Sequence, residues 1–368
     1  MVAALGAAIL LASCGAVSRG PAATATSTAT GSSPAASATP SNTLLVLADP
    51  YQNAPPGQQV TIRLLRLDGS EQNHFALNAG VEVLAAAGQR VFVLSSGHLK
   101  AIRLDGSVED LGSLGTDSLG RVVPSPDGTR WLWSTYTTSG DTVHSQVHLG
   151  GDGIQPRVVE NVTETARVLE PFSWTSLSVF VQHSPLGIGG YILFSPAFGP
   201  VDRLDPSTWT VTPETRTANC SFSDEAIDRT IACFSHNAGG TGGQLVLAPA
   251  SGTAKTIDLP RPLYTVFGDA YFSPDNSKVS VGGSAAQGPQ GEQFATGMVD
   301  VASGSFKSFG PSGVRPAMGI QSWLPDGRFI AWRPRQAAGG APGLYILDPT
   351  GNGPFIPTMA APVGWLTS

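Results

Sequence analysis

The sequence predicts an all-β chain built from repeated four-stranded antiparallel sheets, and three observations support this prediction. A polar turn followed by an alternating apolar strand recurs, most clearly after residues 125–128, 273–276 and 324–327. A second turn, rich in Asp and Gly, recurs out of phase with the first one. Charged residues make up only 13% of the chain, against about a quarter in an average domain. A period near 50 residues with strand-and-turn content is typical of a closed ring of sheets, a β-propeller.

The chemistry of the first turn explains why it recurs. Pro fixes φ near −65°, Asp bonds to its own backbone, and Gly or Asn adopts the positive φ that closes a tight turn. The following residues alternate between apolar and polar, which is the period of a strand with two different faces. Asp224, Asp275 and Asp326 are spaced 51 residues apart. We therefore expect these three aspartates to occupy the same turn position in successive units.

These turns carry a family resemblance. Residues 125–128 (Ser-Pro-Asp-Gly), 273–276 (Ser-Pro-Asp-Asn) and 324–327 (Leu-Pro-Asp-Gly), each before an apolar strand, resemble the TolB-type (WD-like) β-propeller repeat. The resemblance extends over residues 43–368 and implies a propeller fold. It leaves function open, because such propellers serve as binding platforms, enzyme scaffolds and interaction modules.

Counting the two kinds of turn gives a single seven-bladed propeller in residues 43–368. The Asp- and Gly-rich turns are the best short-range hairpin signals. We expect six complete units at residues 81–117, 118–163, 164–214, 215–260, 261–310 and 311–357. Residues 44–80 lack a first strand, whereas the C-terminal segment 362–367 resembles one. The C-terminal strand should therefore complete the N-terminal blade and close the ring. Trp174, Trp323 and Trp365 share the first-strand position, where we expect them to fill the space between blades.

The N-terminus predicts export and lipidation. Residues 1–13 form an apolar run that is too short to span a bilayer. The run leads into Leu-Ala-Ser-Cys at residues 11–14, which resembles the bacterial lipoprotein lipobox and implies a diacylglyceryl group on Cys14. The absence of Lys or Arg before the run departs from that pattern, and an ordinary secretory signal with an incidental Cys is the alternative. Residues 14–42 would form a disordered tether rich in Ala, Ser, Thr and Pro. We expect a lipid-anchored protein on the outer face of a bacterial envelope membrane.

Two cysteines remain once Cys14 is assigned. Cys220 and Cys233 lie on the first and second strands of one unit, on either side of its turn. Pairing across that turn could bring them together, and an exported compartment is oxidising. We predict a disulfide between them, with two small buried residues as the alternative.

Motifs of known enzymes are largely absent. The chain contains no Gly-x-Ser-x-Gly sequence and no Asp-x-Asp-x-Asp-Gly calcium loop. His144 and His148 would lie about 13 Å apart on a strand, too far for one metal ion. Asp68, Asp105, Asp205 and Asp348 have a sufficient role in the second turns. We expect neither a metal nor a cofactor.

The longer connections should all lie on one face of the disc. The links between second and third strands lie on the same face of the disc as the links between blades, and we call this face the loop face. The short turns lie on the opposite face, which we call the turn face. Long loops on a rigid scaffold usually carry function. Long loops are expected at residues 136–141, 185–190, 236–243, 284–293 and 334–343. Candidate binding residues are Trp332, Arg333, Arg335 and His236, with a solvated loop as the alternative.

The sequence favours a binding or interaction scaffold over an enzyme. The net charge of −6, with no Lys/Arg cluster, argues against a nucleic-acid partner. The expected partner is another envelope protein, a glycan or a small ligand, bound by a monomer. The alternative is a propeller enzyme of the lactonase, glycosidase or quinone-dependent dehydrogenase type, with its site at the central channel.

Overall fold

A computed structural model of the chain describes residues 42–49, 58–186, 199–236, 243–259, 270–288, 291–309, 318–333 and 341–367. These residues form seven four-stranded antiparallel sheets, each of which is one blade of a β-propeller. The predicted fold class is therefore confirmed. A single turn of 3₁₀ helix, Thr215–Thr217, interrupts the strands described here.

The blades follow the chain in order. Blade 1 contains β1 (Thr43–Asp49), β2 (Val60–Leu65) and β3 (Glu71–Leu77), and blade 2 contains β4 (Val81–Ala87), β5 (Arg90–Ser95), β6 (His98–Arg103) and β7 (Val108–Ser113). Blade 3 contains β8 (Ser118–Pro124), β9 (Arg130–Ser139), β10 (Thr142–Gly151) and β11 (Ile154–Thr165), and blade 4 contains β12 (Arg167–Trp174), β13 (Val179–Pro185), β14 (Val201–Leu204) and β15 (Val211–Pro213). Blade 5 contains β16 (Ser221–Glu225), β17 (Ile231–His236), β18 (Gly243–Ala248) and β19 (Lys255–Asp258), and blade 6 contains β20 (Ala270–Phe272), β21 (Lys278–Gly288), β22 (Gly291–Asp300) and β23 (Phe306–Phe309). Blade 7 contains β24 (Met318–Trp323), β25 (Phe329–Arg333), β26 (Gly343–Leu347) and β27 (Phe355–Pro357), and β28 (Ala361–Thr367) returns to blade 1.

The ring closes through strand β28, as the sequence predicts. This C-terminal strand pairs antiparallel with β1, and Leu366 lies opposite Leu44. It occupies the first-strand position of blade 1, in the order β28-β1-β2-β3. Because the two ends of the chain share one sheet, neither blade 1 nor blade 7 is left with a free lateral face.

The hydrophobic core is divided among the spaces between blades. The described residues form seven buried clusters, and each one joins residues of two consecutive blades, including blades 7 and 1. The alternation along a strand produces this arrangement. In β1, Leu45 and Leu47 pack against blade 7, whereas Leu44 and Val46 pack against blade 2. Each blade is thus a sheet with two buried faces, and burial on both sides stabilises the ring.

First strands of neighbouring blades contact each other, as β12 does with β8 and β28 does with β4, so these strands lie nearest the axis. Trp174, Trp323 and Trp365 all lie on first strands, β12, β24 and β28. Each packs in or against an inter-blade cluster. The Trp323 indole also donates a hydrogen bond to the backbone oxygen of Tyr271 in blade 6, at 2.8 Å.

Both kinds of turn have the expected chemistry. In the first turn of blade 3, the Gly128 N–H donates to the Ser125 oxygen at 2.8 Å, and Asp127 accepts from the Ser125 hydroxyl. In the second turns, the aspartate accepts hydrogen bonds from the backbone N–H and the hydroxyl two residues later, as Asp68 does from Ser70. The same pair of bonds forms at Asp105, Asp205 and Asp348.

One glycine is required by the contact between the turns of blades 2 and 3. Gly88 has φ +59°, and its N–H donates to the Pro126 oxygen at 3.1 Å. A Cβ atom at this position would lie 2.1 Å from the Asp127 oxygen. The two turns can therefore meet only where one of them has no side chain.

The loop expected at residues 136–141 is not a long loop. Strands β9 and β10 extend through it and pair as far as Ser139 and Thr142. Gly140, at φ +60°, forms the tight connection. Tyr136, Thr137 and Thr138 are aromatic or β-branched residues, which favour a strand, so this segment continues β9 instead of forming a loop.

The predicted disulfide between Cys220 and Cys233 is present, with a Cα–Cα distance of 5.6 Å. Cys233 lies opposite Phe222 in the sheet rather than opposite Cys220. The bridge therefore runs diagonally, from the residues just before β16 to the middle of β17. It fastens the end of blade 5 that lies away from the turn joining these strands.

Candidate functional site

Of the four candidate binding residues, Trp332 and Arg333 have side chains within the described structure. Trp332 and Arg333 lie at the end of β25 in blade 7, and the His236 backbone ends β17 in blade 5. Arg335 and the side chain of His236 lie outside the described residues. Arg333 is only 4% exposed, so the alternative of a solvated loop does not apply to this residue. Trp332 packs against the cluster between blades 7 and 1.

A histidine held between carboxylates joins blades 3 and 4 near the loop face. His183 bonds through Nδ1 to Glu164 at 2.7 Å and through Nε2 to Asp202 at 3.0 Å. The Asp202 and Glu164 carboxylates raise the pKa of His183 to about 9. Burial, together with the charge of Asp202, raises the pKa of nearby Glu160 to about 7. Both imidazole nitrogens are occupied, so this cluster acts as an ionic tie between blades.

A cavity of about 220 Å³ opens on the turn face. Its wall is formed by the first turns and first strands of three consecutive blades, at residues 175–177, 224–227, 272–274 and 276. Because these turns join the two strands nearest the axis, the cavity lies close to the centre of the disc. Concave sites of this kind, with a few polar groups, are where small ligands usually bind.

Asp224 is not a turn residue, which corrects the expectation from the 51-residue spacing. The blade 5 turn begins at Ala226, whose N–H donates to the Thr230 oxygen, as the N–H of Ser125 does to the Arg130 oxygen in blade 3. Asp228 takes the turn role, because it accepts the Thr230 N–H at 2.9 Å. Asp224 lies two residues before the turn, on β16 opposite Ala232.

The equivalent positions in other blades carry no carboxyl group. The residues two places before the turns of blades 3, 4, 6 and 7 are Val123, Ser173, Tyr271 and Ser322. Each pairs with the second strand as Asp224 does, opposite Leu132, Phe180, Ser280 and Ile330. The fold therefore does not require an acid at this position, and blade 5 alone of these five blades places one there.

Asp224 joins blade 5 to blade 6 and lines the cavity. Its Oδ2 atom accepts the backbone N–H of Phe272 at 2.8 Å. Burial, reinforced by the charge of Glu225, raises the pKa of Asp224 to about 7 despite the hydrogen bonds from the Phe272 and Glu225 N–H groups. A carboxyl group with this pKa can both donate and accept a proton near neutral pH.

Glu225, the next residue, is held as an ion-paired carboxylate. Its side chain is fully buried and pairs through Oε1 with Arg203 of blade 4. Its Oε2 atom accepts the Thr175 hydroxyl at 3.1 Å. Arg203 also pairs with Glu214 at 2.7 Å and lies over the Phe180 ring. Hydrogen bonds from Arg216 and Arg203 outweigh the effect of burial and lower the pKa of Glu214 to about 2.

The remaining wall combines apolar and hydrogen-bonding side chains. Leu177 and Ile227 are the aliphatic residues of the lining, and Ile227 is 68% exposed at the rim. Phe272 also lines the cavity and belongs to the buried cluster between blades 5 and 6. Asn276, at φ +58°, accepts the Ile227 N–H at 3.4 Å and thereby connects the turns of blades 5 and 6. Among the residues lining the cavity that the structure describes, none is Arg, Lys or His.

In the described part of the chain, no group of three or more His, Cys, Asp or Glu side chains is placed to hold a metal ion. No helix within these ranges is long and apolar enough to cross a bilayer.

Comparisons with known proteins identify the fold. No model of a protein family matches the chain, and no curated protein does either. Among solved structures, an oligogalacturonate lyase from Vibrio parahaemolyticus matches with a TM-score of 0.51 and 10% identity, over 79% of this chain and 88% of its own. A candidate 6-phosphogluconolactonase from Bacteroides uniformis matches with a TM-score of 0.50 and 14% identity, over 88% and 99%.

Peptidases match over only part of their length. An acylaminoacyl peptidase from Pyrococcus horikoshii has a TM-score of 0.50 and 12% identity, over 79% of this chain and 47% of its own. The chain thus spans about half the length of that enzyme and nearly the whole length of the lyase and the candidate lactonase. At these identities the likeness shows the fold, and the chain is a seven-bladed β-propeller.

Proposed function

We propose that this protein is an acid–base enzyme built on the propeller itself, with Asp224 as its proton-exchanging residue. The observation that carries the proposal is the position of Asp224: a carboxyl group at a cavity wall, with its pKa raised to about 7, where the fold does not need an acid. Strongly perturbed carboxyl groups in concave sites are characteristic of catalytic acids and bases.

The chemistry expected of Asp224 is proton transfer to or from an oxygen of the bound substrate. Near neutral pH the group is divided between its two protonation states, so it can supply a proton to a leaving oxygen and recover it from water. Glu225, fixed by Arg203 and Thr175, is an electrostatic neighbour that favours the protonated form of Asp224. This role suits lactone or glycoside cleavage, the hydrolytic reactions anticipated for a propeller enzyme.

The comparisons support an enzyme over a passive scaffold. The match covers 88% of the lyase and 99% of the candidate lactonase, so a propeller makes up most of each of these two chains. A propeller without further domains is therefore compatible with catalysis. The alternative is the non-catalytic binding scaffold favoured by the sequence, in which the bond from Phe272 to Asp224 serves only to join blades 5 and 6.

Turnover by matched variants tests the proposal. The purified protein would be assayed on p-nitrophenyl glycosides, on lactones with a pH indicator, and on oligouronates by the absorbance of the unsaturated product. We expect turnover of one class, a loss of at least about 100-fold in kcat/KM for Asp224→Asn, and little change for Asp228→Asn. No turnover of any class, or an active Asp224→Asn variant, would contradict the proposal.

We also propose that the protein is lipid-anchored at Cys14, on the outer face of an envelope membrane, with the TolB-type repeat as its exported body. The support is the apolar run and the Leu-Ala-Ser-Cys sequence at residues 11–14. Metabolic labelling with a fatty acid, followed by detergent partitioning, tests this proposal. Label on the native chain and none on Cys14→Ser is the expected result; equal partitioning of both chains into the aqueous phase would contradict it.

A further inference from the structure

The turn-face cavity has an unusual balance of charge. Two carboxyl groups, Asp224 and Glu225, contribute to its wall, and none of the described lining residues is basic. The Arg203 guanidinium contacts this wall through Glu225, and it is also paired with Glu214. The Arg229 guanidinium donates to the Ser178 hydroxyl, and Ser178 does not line the cavity. An anionic ligand would therefore lose its hydration in this wall without gaining an ion pair, which is unfavourable in a partly dehydrated site.

A cationic ligand is not favoured either. The charge of Glu225 is already neutralised by Arg203, and its second oxygen accepts the Thr175 hydroxyl. Asp224 is bound to the Phe272 N–H, and burial keeps most of it protonated at pH values below its pKa of about 7. Under those conditions the wall offers hydrogen-bonding groups without a free charge.

The remaining lining suits a ring with one apolar face. Leu177 and Ile227 provide hydrocarbon side chains, while Ser176 and Asn276 bring a hydroxyl and a carboxamide. The volume of about 220 Å³ accommodates one six-membered ring with its substituents. Sugar rings present this combination, with C–H groups on one face and hydroxyl groups around the edge.

We propose that the cavity seats one uncharged sugar ring and rejects the corresponding uronic acid. This inference names the substrate class of the site described above, so the sugar is a substrate only if the proposed function holds. The binding selectivity itself is a separate property and can be measured without turnover.

Three ligands with the same aglycone test the selectivity: p-nitrophenyl β-glucoside, p-nitrophenyl β-glucuronide and the 2-amino-2-deoxy analogue of the glucoside. Binding to the full chain would be measured at pH 6, where Asp224 is mostly protonated, by calorimetry or ligand-observed NMR. Release of p-nitrophenol would be followed in parallel on samples made alkaline before reading. We expect the glucoside to bind at least about tenfold more tightly than the glucuronide, a difference of about 1.4 kcal/mol. We also expect it to bind more tightly than the amino sugar.

A charge placed at the rim provides the matched variant. Ile227 is 68% exposed, so Ile227→Lys should fold normally while bringing a cation to the cavity. In this variant we expect the ratio of glucoside affinity to glucuronide affinity to fall by about tenfold. Val108→Lys, at a 60% exposed position in blade 2, should keep it.

The results separate this inference from the proposed function. Equal or tighter binding of the glucuronide, tightest binding of the amino sugar, no binding of any of the three, or an unchanged preference in Ile227→Lys would overturn the inference. Selective binding of the glucoside without turnover of any substrate class would uphold the inference and count against the enzyme. Turnover of an oligouronate that depends on Asp224 would support the enzyme and overturn the inference.

Discussion

The Oδ2 atom of Asp224 accepts the backbone N–H of Phe272 at 2.8 Å, so an acid from one blade is fixed against the first strand of the next. Ser223 makes the neighbouring link, since its hydroxyl donates to the Ala270 oxygen at 2.9 Å and accepts the Ala270 N–H at 2.7 Å. These contacts hold the cavity wall rigidly. A carboxyl group in such a setting keeps its position while its protonation changes, which is the requirement for an acid–base residue.

Asp224 should make the stability of the protein depend on pH. Its pKa is raised from 3.8 to about 7, so between these values the folded chain binds more protons than the unfolded chain. This contribution to the free energy of unfolding is therefore greatest below pH 3.8 and falls as the pH rises to about 7. In urea unfolding at pH 5 and pH 8, Asp224→Asn should lose much less stability than the native chain. Equal losses in both chains would argue that Asp224 is already ionised at pH 5.

His183 should add a second loss of stability at higher pH. Its pKa is raised from 6.5 to about 9, so its pairing with Glu164 and Asp202 stabilises the fold fully below pH 6.5 and is lost as the pH rises through 9. We expect His183→Gln to remove the part of the stability change that falls between pH 6.5 and 9.5. His74→Gln is the control, because His74 pairs with Glu71 on the surface. A native-like pH profile for His183→Gln would contradict the ionic tie.

Much of the architecture follows from the sequence, because its signals are local. Pro-Asp-Gly turns specify hairpins, and alternation in β1 divides Leu44 and Val46 from Leu45 and Leu47, so each set packs against a different blade. Ring closure also follows, since the segment ending at Thr367 resembles a first strand that blade 1 lacks.

The candidate site could not be predicted in the same way. Equal spacing suggested that Asp224 was a turn residue. Turn lengths vary between blades, so spacing alone cannot distinguish Asp224 from Asp228, which takes the turn role. The raised pKa of Asp224 depends on enclosure by blade 6, and the cluster around His183 draws Glu164 from blade 3. Both contacts join residues of different blades, so the sequence of a single strand does not reveal them. Burial of Arg333 likewise depends on residues distant in the chain.

The disulfide of blade 5 should contribute measurably to stability. Cys220 and Cys233 are 13 residues apart, and closing a loop of that size stabilises a fold by about 3 kcal/mol in the chain-entropy treatment. We expect the Cys220→Ser, Cys233→Ser double variant to lose a stability of that order relative to the oxidised native chain. Mass spectrometry of the unreduced protein is the companion measurement, and two free thiols there would contradict the bridge.

Ring closure should depend on strand β28. Leu366 is fully buried between blades 1 and 2, and removing a buried leucine side chain costs about 2–5 kcal/mol. Leu366→Ala should therefore lower the denaturation midpoint of the whole ring in one cooperative transition. Val108→Ala, at a 60% exposed position, should change stability by less than about 0.5 kcal/mol. Similar effects of the two substitutions would show that the closing strand is dispensable.

Direct titration of the Asp224 carboxyl group tests the central claim. Carboxyl-¹³C NMR of aspartate-labelled protein, compared with Asp224→Asn, assigns the resonance, and Asp228→Asn serves as the control. We predict one aspartate resonance that titrates near pH 7, is missing from Asp224→Asn and persists in Asp228→Asn. If every aspartate that differs between the native chain and Asp224→Asn titrates below pH 5, Asp224 is an ordinary structural carboxylate and the proposed catalytic role is wrong.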